Sequence, residues 1–179
     1  MLESEKLKVR AIEEEDLPKM VEWRNSLDAQ KTFYEYEPLS IVKQREWFKE
    51  YLQGKHGKLW IIEVDNKAIG TIGFHEIDFR NSHAKFGRFY IEPDSRKQGY
   101  GREALKLIIE YGFNHLNLNR IWLDTINGNA QAIFLYKKFG FVIEGVLINH
   151  IYKDGTYCNL LIMGMCKADF KPNPDWDEK

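Results

Sequence analysis

Ile91-Glu92-Pro93-Asp94-Ser95-Arg96-Lys97-Gln98-Gly99-Tyr100-Gly101-Arg102 is the stretch on which the reading of this chain turns. An apolar segment ends at Glu92-Pro93 and gives way to a polar loop holding two glycines. From Gly101 to Leu116 the spacing is helical, with Leu105, Ile108, Ile109, Gly112 and Leu116 on one face. The pattern therefore predicts strand, loop and amphipathic helix in that order. Glycines let a ligand approach the backbone and expose its N–H groups. A helix N-terminus adds unsatisfied donors and the positive end of a dipole. Arg96, Lys97 and Arg102 bring positive charge. Such a segment can cradle an anion, and a pyrophosphate suits it.

Two familiar phosphate loops can be compared with it. Gly99-x-Gly101-x-x-Ala104 matches the dinucleotide fingerprint, and Asp124 lies 20 residues beyond Ala104. That fingerprint follows its strand at once, however, whereas here Asp94 to Tyr100 intervene. It also sits among repeated βαβ units, whereas the segments upstream read as hairpins. No Gly-Lys-Ser or Gly-Lys-Thr occurs, so the nucleoside-triphosphatase loop is absent.

Outward from the loop, the strand before it is expected over about Ala84 to Ile91. A hairpin precedes that, Leu59 to Val64 and Ala68 to Phe74, turning at Asp65-Asn66-Lys67. Helices are expected from Leu17 to about Asn25 and from Ile41 to Leu52, and a first strand from Lys6 to Ile12. Gln30 to Ser40 is irregular, aromatic and acidic. Downstream, Arg120 to Ile126 reads as a strand. Ala130 to Phe139 reads as a helix capped by Asn129 and closed by Gly140. Two closing strands, Val146 to Tyr152 and Tyr157 to Met165, meet at Asp154-Gly155. The whole is an α/β (α+β) fold with a mixed, largely antiparallel central sheet flanked by helices. One domain is expected over residues 1–166, followed by a loose polar tail at 167–179.

Composition limits the function. A formal net charge of −1 and no basic run disfavour nucleic acid as a partner. No apolar run approaches the roughly 20 residues that span a bilayer, and the first residues carry no signal-peptide pattern, so no membrane partner and a cytoplasmic location are expected. Cys158 and Cys166, on one extended strand, would lie roughly 26 Å apart and form no disulfide. No metal is expected. The exposed closing strands suggest a homodimer.

A second motif sharpens the first. Asn129-x-x-Ala132-x-x-Leu135-Tyr136-x-Lys138-x-Gly140-Phe141 follows the glycine loop by some 30 residues. The two together, in this order and at this separation, resemble the GNAT superfamily of N-acetyltransferases over about Leu7 to Met165. Trp23-Arg24-Asn25, Gln44-x-x-Trp47-Phe48 and Lys153-Asp154-Gly155-x-Tyr157 look like one branch of it. That branch holds RimJ/RimL-type protein N-terminal acetyltransferases, spermidine acetyltransferases and acetylases of amino-sugar nucleotides.

The resemblance implies acetyl-CoA as co-substrate and direct transfer to an amine in a ternary complex. It implies that Phe89, Tyr90 and Ile91 pair through their backbone with the pantetheine arm, with an N–H there, that of Ile91, holding the oxyanion. The amides of Gln98, Gly99, Tyr100, Gly101 and Arg102 would hold the pyrophosphate, with Arg96 and Lys97 beside them. Tyr136 matches the family's general acid, which protonates the departing thiolate. Asn129 either contacts the coenzyme or caps its helix. Glu76 stands where an acid binds or deprotonates the amine, with a water chain as the alternative; His75 beside it faces the other way unless the strand bulges. Glu35, Glu37 and Arg24 are the substrate-binding candidates, the acids beside Tyr34 and Tyr36 suiting a cationic amine.

The leading expectation is an enzyme acetylating a polyamine or amino sugar. The rivals are acetylation of a protein N-terminus, a coenzyme-binding module without catalysis, and the oxidoreductase suggested by the dinucleotide fingerprint.

Overall fold

The computed structural model describes residues 1–34 and 37–174. Eight strands form one mixed sheet in the order β1-β2-β3-β4-β5-β6-β8-β7, with β5 and β6 parallel. The chain divides into two compact units, one of Met1–His75 with Arg88–Ala104, the other of Glu76–Gly87 with Leu105 onward.

The first unit holds β1 (Leu2–Glu3), β2 (Lys8–Arg10), α1 (Leu17–Asn25), α2 (Leu27–Thr32), α3 (Ile41–Leu52) and β3 (Lys58–Val64). It also holds most of β4 (Lys67–Asp78), the end of β5 (His83–Ile91) and the first turn of α4 (Tyr100–Asn114). β1 and the separate α2 were not legible from apolar spacing; the rest fall within a few residues of expectation. Ser26 breaks the helix and restarts it: its backbone is extended, and its Oγ accepts the N–H of Ala29 at 3.1 Å. Ser40 caps α3 in the same way through Lys43. Asp65 and Asn66 both have positive φ, the pair a two-residue hairpin turn demands, and they join β3 to β4 at Val64↔Lys67. Leu17, Trp23, Leu59, Ile61 and Tyr90 form the core here, with Phe33, Trp47 and Tyr51 packed against it.

The second unit is built on β6 (Arg120–Ile126), α5 (Ala130–Phe139), β7 (Val142–Lys153) and β8 (Thr156–Cys166). β8 pairs with β6 from Arg120↔Cys166 to Ile126↔Leu160. It pairs with β7 through the hairpin at Asp154-Gly155, both at positive φ. β7 is longer than expected because it absorbs two irregularities, after Ile143 and after Leu147. In the second, Asn149 is left-handed and its N–H reaches Asn159 Oδ1 at 2.9 Å. Both cysteines are free.

Residues 167–173, expected to trail loosely, are docked. Lys167–Asp169 make a 3-10 turn, and Phe170 packs on Phe113 and Phe139 with ring centroids 5.7 and 6.4 Å away. Lys167 Nζ reaches the carbonyl of Phe113, and Lys171 N–H that of Phe139. An aromatic residue in a polar stretch was the signal. Among the described residues, no helix is long and apolar enough to cross a membrane.

Candidate active site

The glycine loop takes the form its sequence predicts. After Ile91 the chain makes a 3-10 turn at Pro93–Ser95, and α4 begins at Tyr100. Lys97 and Gly99 are left-handed. Among the described residues, the amides of Gln98, Gly99, Tyr100 and Gly101 donate to no backbone carbonyl. Arg102 N–H instead turns onto Gly99 O at 3.1 Å, which removes it from the expected set of donors. At Gly101 an added Cβ would meet only the Phe89 ring, at 3.5 Å, an ordinary contact. The protein's own packing therefore leaves room for a side chain there.

Arg96 is not spare positive charge. Its Nε donates to Ile91 O at 2.8 Å and its Nη1 to Asp28 Oδ1 at 2.8 Å, while Nη2 bonds Asp28 Oδ2. The guanidinium also lies 5.5 Å from the Tyr90 ring centroid. The hydrogen bonds from Arg96 hold the Asp28 carboxyl below its usual range. Arg96 thus ties the end of β5 to α2, and Lys97 and Arg102 are left as the exposed cations of the loop. Lys6 Nζ comes within 4.0 Å of where a Gly99 Cβ would be.

Glu92 is a second tie that the sequence reading overlooked. Its buried carboxylate accepts from Trp23 Nε1 at 3.2 Å and Ser95 Oγ at 3.3 Å, with Lys67 Nζ at 3.1 Å and Lys19 Nζ at 3.5 Å. Burial alone would raise its pKa, but these donors and cations together hold it low. Trp23, singled out for its neighbours Arg24 and Asn25, therefore fixes the turn after β5. Gly70 lies so close under β5 that a Cβ would strike Tyr90 O at 2.0 Å.

Strand β5 carries Phe89, Tyr90 and Ile91. Its pairing with β6 covers His83↔Arg120 to Lys85↔Trp122 and stops there. Arg88 then takes a left-handed φ of 51°, a kink inside the strand, with its carbonyl accepting from Thr71 Oγ1 at 2.8 Å. β4 kinks likewise at Glu76, φ 50°.

In the second unit, Tyr136 lies on the inner side of α5 between Phe86 and Phe141, with ring centroids 6.0 and 5.8 Å away, and is 9% exposed. Burial first, and the charge of Asp124 second, push its phenol pKa well above the ordinary value. The phenol therefore keeps its proton through the neutral range. Asn129 Oδ1 accepts the N–H of Ala132 at 3.2 Å, so the capping role is filled. Gly140 closes the helix at φ 109°, and a Cβ there would strike Asp169 O at 2.3 Å.

Glu76, the candidate base, is exposed and lies 3.6 Å from Lys85 Nζ. Lys85 reaches Asp124 Oδ2 at 2.7 Å and lies 5.0 Å from the Trp122 ring centroid. Asp124, twenty residues beyond the dinucleotide-like loop, is thus bound to a lysine. The strand order has a hairpin, not a βαβ unit, feeding β5. Both facts remove the oxidoreductase reading. Glu37 is exposed and paired with Lys43 at 2.9 Å; Glu35 lies outside the described residues. Arg24 stacks on Phe33 with its Cζ 4.4 Å from the ring centroid.

The acetyltransferase (GNAT) domain family matches residues 6–142. The chain belongs to the GNAT family. It is an acetyl-CoA-dependent N-acetyltransferase. Spermidine N(1)-acetyltransferase of Escherichia coli (strain K12) is 27% identical over 157 residues, 88% of this chain and 84% of that protein. The uncharacterized N-acetyltransferase YoaA of Bacillus subtilis (strain 168) is 32% identical over 162 residues, 87% of this chain and 90% of its own length. The crystal structure of spermidine N-acetyltransferase from Vibrio cholerae in complex with CoA and spermine superposes with a TM-score of 0.86 at 26% identity, covering 93% of this chain and 98% of that one.

Proposed function

We propose that this GNAT enzyme moves the acetyl group of acetyl-CoA directly onto the primary amine of a small molecule. The observation that carries the reading is the row of uncommitted amides from Gln98 to Gly101, opened at a glycine that the protein's own packing does not require. Amides at a helix start hold a pyrophosphate through hydrogen bonds and the dipole. Lys97 and Arg102 add charge, and the Phe89–Ile91 backbone is the edge that takes the pantetheine arm.

The chemistry follows in one displacement. The neutral amine forms a bond to the thioester carbonyl carbon, and the oxyanion is held by the Ile91 N–H. The C–S bond then breaks, and Tyr136 gives its proton to the departing thiolate. The proton lost by the amine passes to Glu76 or along water. Burial raises the phenol pKa, so at neutral pH it is present as an acid.

The spermidine acetyltransferases among the relatives support a polyamine as acceptor. The described carboxylates expected to attract one, Glu37 and Glu76, already face lysines, so an amino sugar stands beside it. Acetyl-CoA as co-substrate suits a cytoplasmic enzyme. A homodimer formed through β7 completes the reading: this edge strand exposes 70% of Ile148 and 63% of Tyr152. Light scattering of wild type and Ile148→Asp tests the dimer. Thiol release with DTNB, screened over spermidine, spermine, amino sugars and short peptides, tests the activity. Release with none of them would sink it.

A further inference from the structure

Two arginines of the first unit have been placed where like charge costs energy. Arg24 on α1 lies over Phe33, and Arg88 at the kink of β5 lies over Trp47, 5.3 Å from its ring centroid. Phe33 and Trp47 pack against the same apolar cluster. Although Arg88 presents an exposed side to solvent, the protein packed around it and then the charge of Arg24 lower its pKa. Among the described residues its guanidinium makes no ion pair and no hydrogen bond. On the helix that carries Trp47, Glu50 is engaged with His56 at 2.8 Å, and His56 stacks on Trp47 at 5.7 Å. Arg88 is also left-handed, so the backbone is held in an uncommon conformation to put it there.

A guanidinium holds five N–H donors in one plane, and that of Arg88, which bonds no described protein group, can fork onto a carboxylate or phosphate. The same pair would repel a bare polyammonium ion. We infer that Arg88 binds an anionic group, carboxylate or phosphate, carried by the acceptor in addition to its amine. The inference rests on the acetyl-transfer reading and narrows its substrate to an amino acid or a phosphorylated amino sugar.

Matched acceptors test it. Cadaverine against lysine adds a carboxylate to an alkylamine, and glucosamine against glucosamine 6-phosphate adds a phosphate. In wild type, kcat/KM should favour the anionic member of at least one pair by about tenfold or more, as a charge-assisted hydrogen bond allows. In Arg88→Gln that preference should fall to about one, and Arg88→Lys should restore part of it, with circular dichroism confirming the fold. The pair that shows the preference identifies the anion. Equal use of both members in wild type, or an unchanged preference in Arg88→Gln, overturns the inference. If no acceptor releases thiol, the transfer reading fails instead. Calorimetry of the same four compounds with the CoA-bound enzyme then still decides: no gain from the anion overturns the inference, and a gain lost in Arg88→Gln upholds it.

Discussion

Asp28 on α2 and Arg96 in the glycine loop are joined through both carboxylate oxygens, with 68 residues of chain between them. The same guanidinium holds the Ile91 carbonyl. The segment that leads to the irregular, aromatic loop is thereby fastened to the segment proposed to hold the coenzyme.

Asp28→Asn should therefore weaken acetyl-CoA binding severalfold while costing about 1 kcal/mol of stability. The stability cost is kept small because both side chains retain some solvent contact. The folded-state pKa of Asp28 is depressed, so its contribution is complete above the unfolded value near 3.9 and fades as pH falls through the folded one. Urea denaturation should show a constant gap between wild type and Asp28→Asn at neutral pH. The gap should close below about pH 4. A gap that widened in acid would contradict the pairing.

Gly101→Ala separates the ligand's needs from the protein's. Its Cβ meets nothing closer than Phe89 at 3.5 Å, and alanine is the better helix former by about 1 kcal/mol. Thermal stability without ligand should hold or rise. The KM for acetyl-CoA should rise by an order of magnitude. Unchanged coenzyme affinity would mean that the pyrophosphate lies elsewhere.

Tyr136→Phe should lower kcat by about 100-fold, within the range expected for one general acid, and leave coenzyme affinity intact. The cavity is preserved because only the hydroxyl goes. Single-turnover rates and a direct titration with acetyl-CoA separate the two quantities.

Asp124→Asn tests the environment of that phenol. Loss of the carboxylate removes a charge that disfavours phenolate and leaves Lys85 without its 2.7 Å partner. Loss of that charge lowers the phenol pKa. The alkaline fall of kcat should then begin at lower pH than in wild type; a shift the other way would show that Tyr136 does not sense Asp124.

Phe170→Ala should cost about 2 kcal/mol, or roughly 4–8 °C in Tm, because the ring fills space between Phe113 and Phe139. Scanning calorimetry reads this directly.

Local chemistry made much of this protein legible from its residues. Asn129 and Gly140 bound α5 because capping depends on neighbours in sequence. Asp65-Asn66 and Asp154-Gly155 turn where their positive φ values allow. What stayed hidden depended on distant partners. Arg96 reads as a phosphate ligand until Asp28 is beside it, and no pattern around Glu92 announces that Trp23, Lys19 and Lys67 converge on it. Arg88 looks like a surface arginine until the kink and Trp47 place it. Motif matching found the residues that touch the coenzyme in the proposed scheme. It passed over those that hold them still.

Gly140 has a practical consequence for anyone handling the protein. The carbonyl of Asp169 sits where any other side chain at position 140 would need to be, so the helix bearing Tyr136 is propped from behind by the turn at Lys167–Asp169. A purification handle or fusion partner attached at the C-terminus would tug on that prop. A handle at the N-terminus spares it, and assays comparing the two fusions would register the strain as lost turnover.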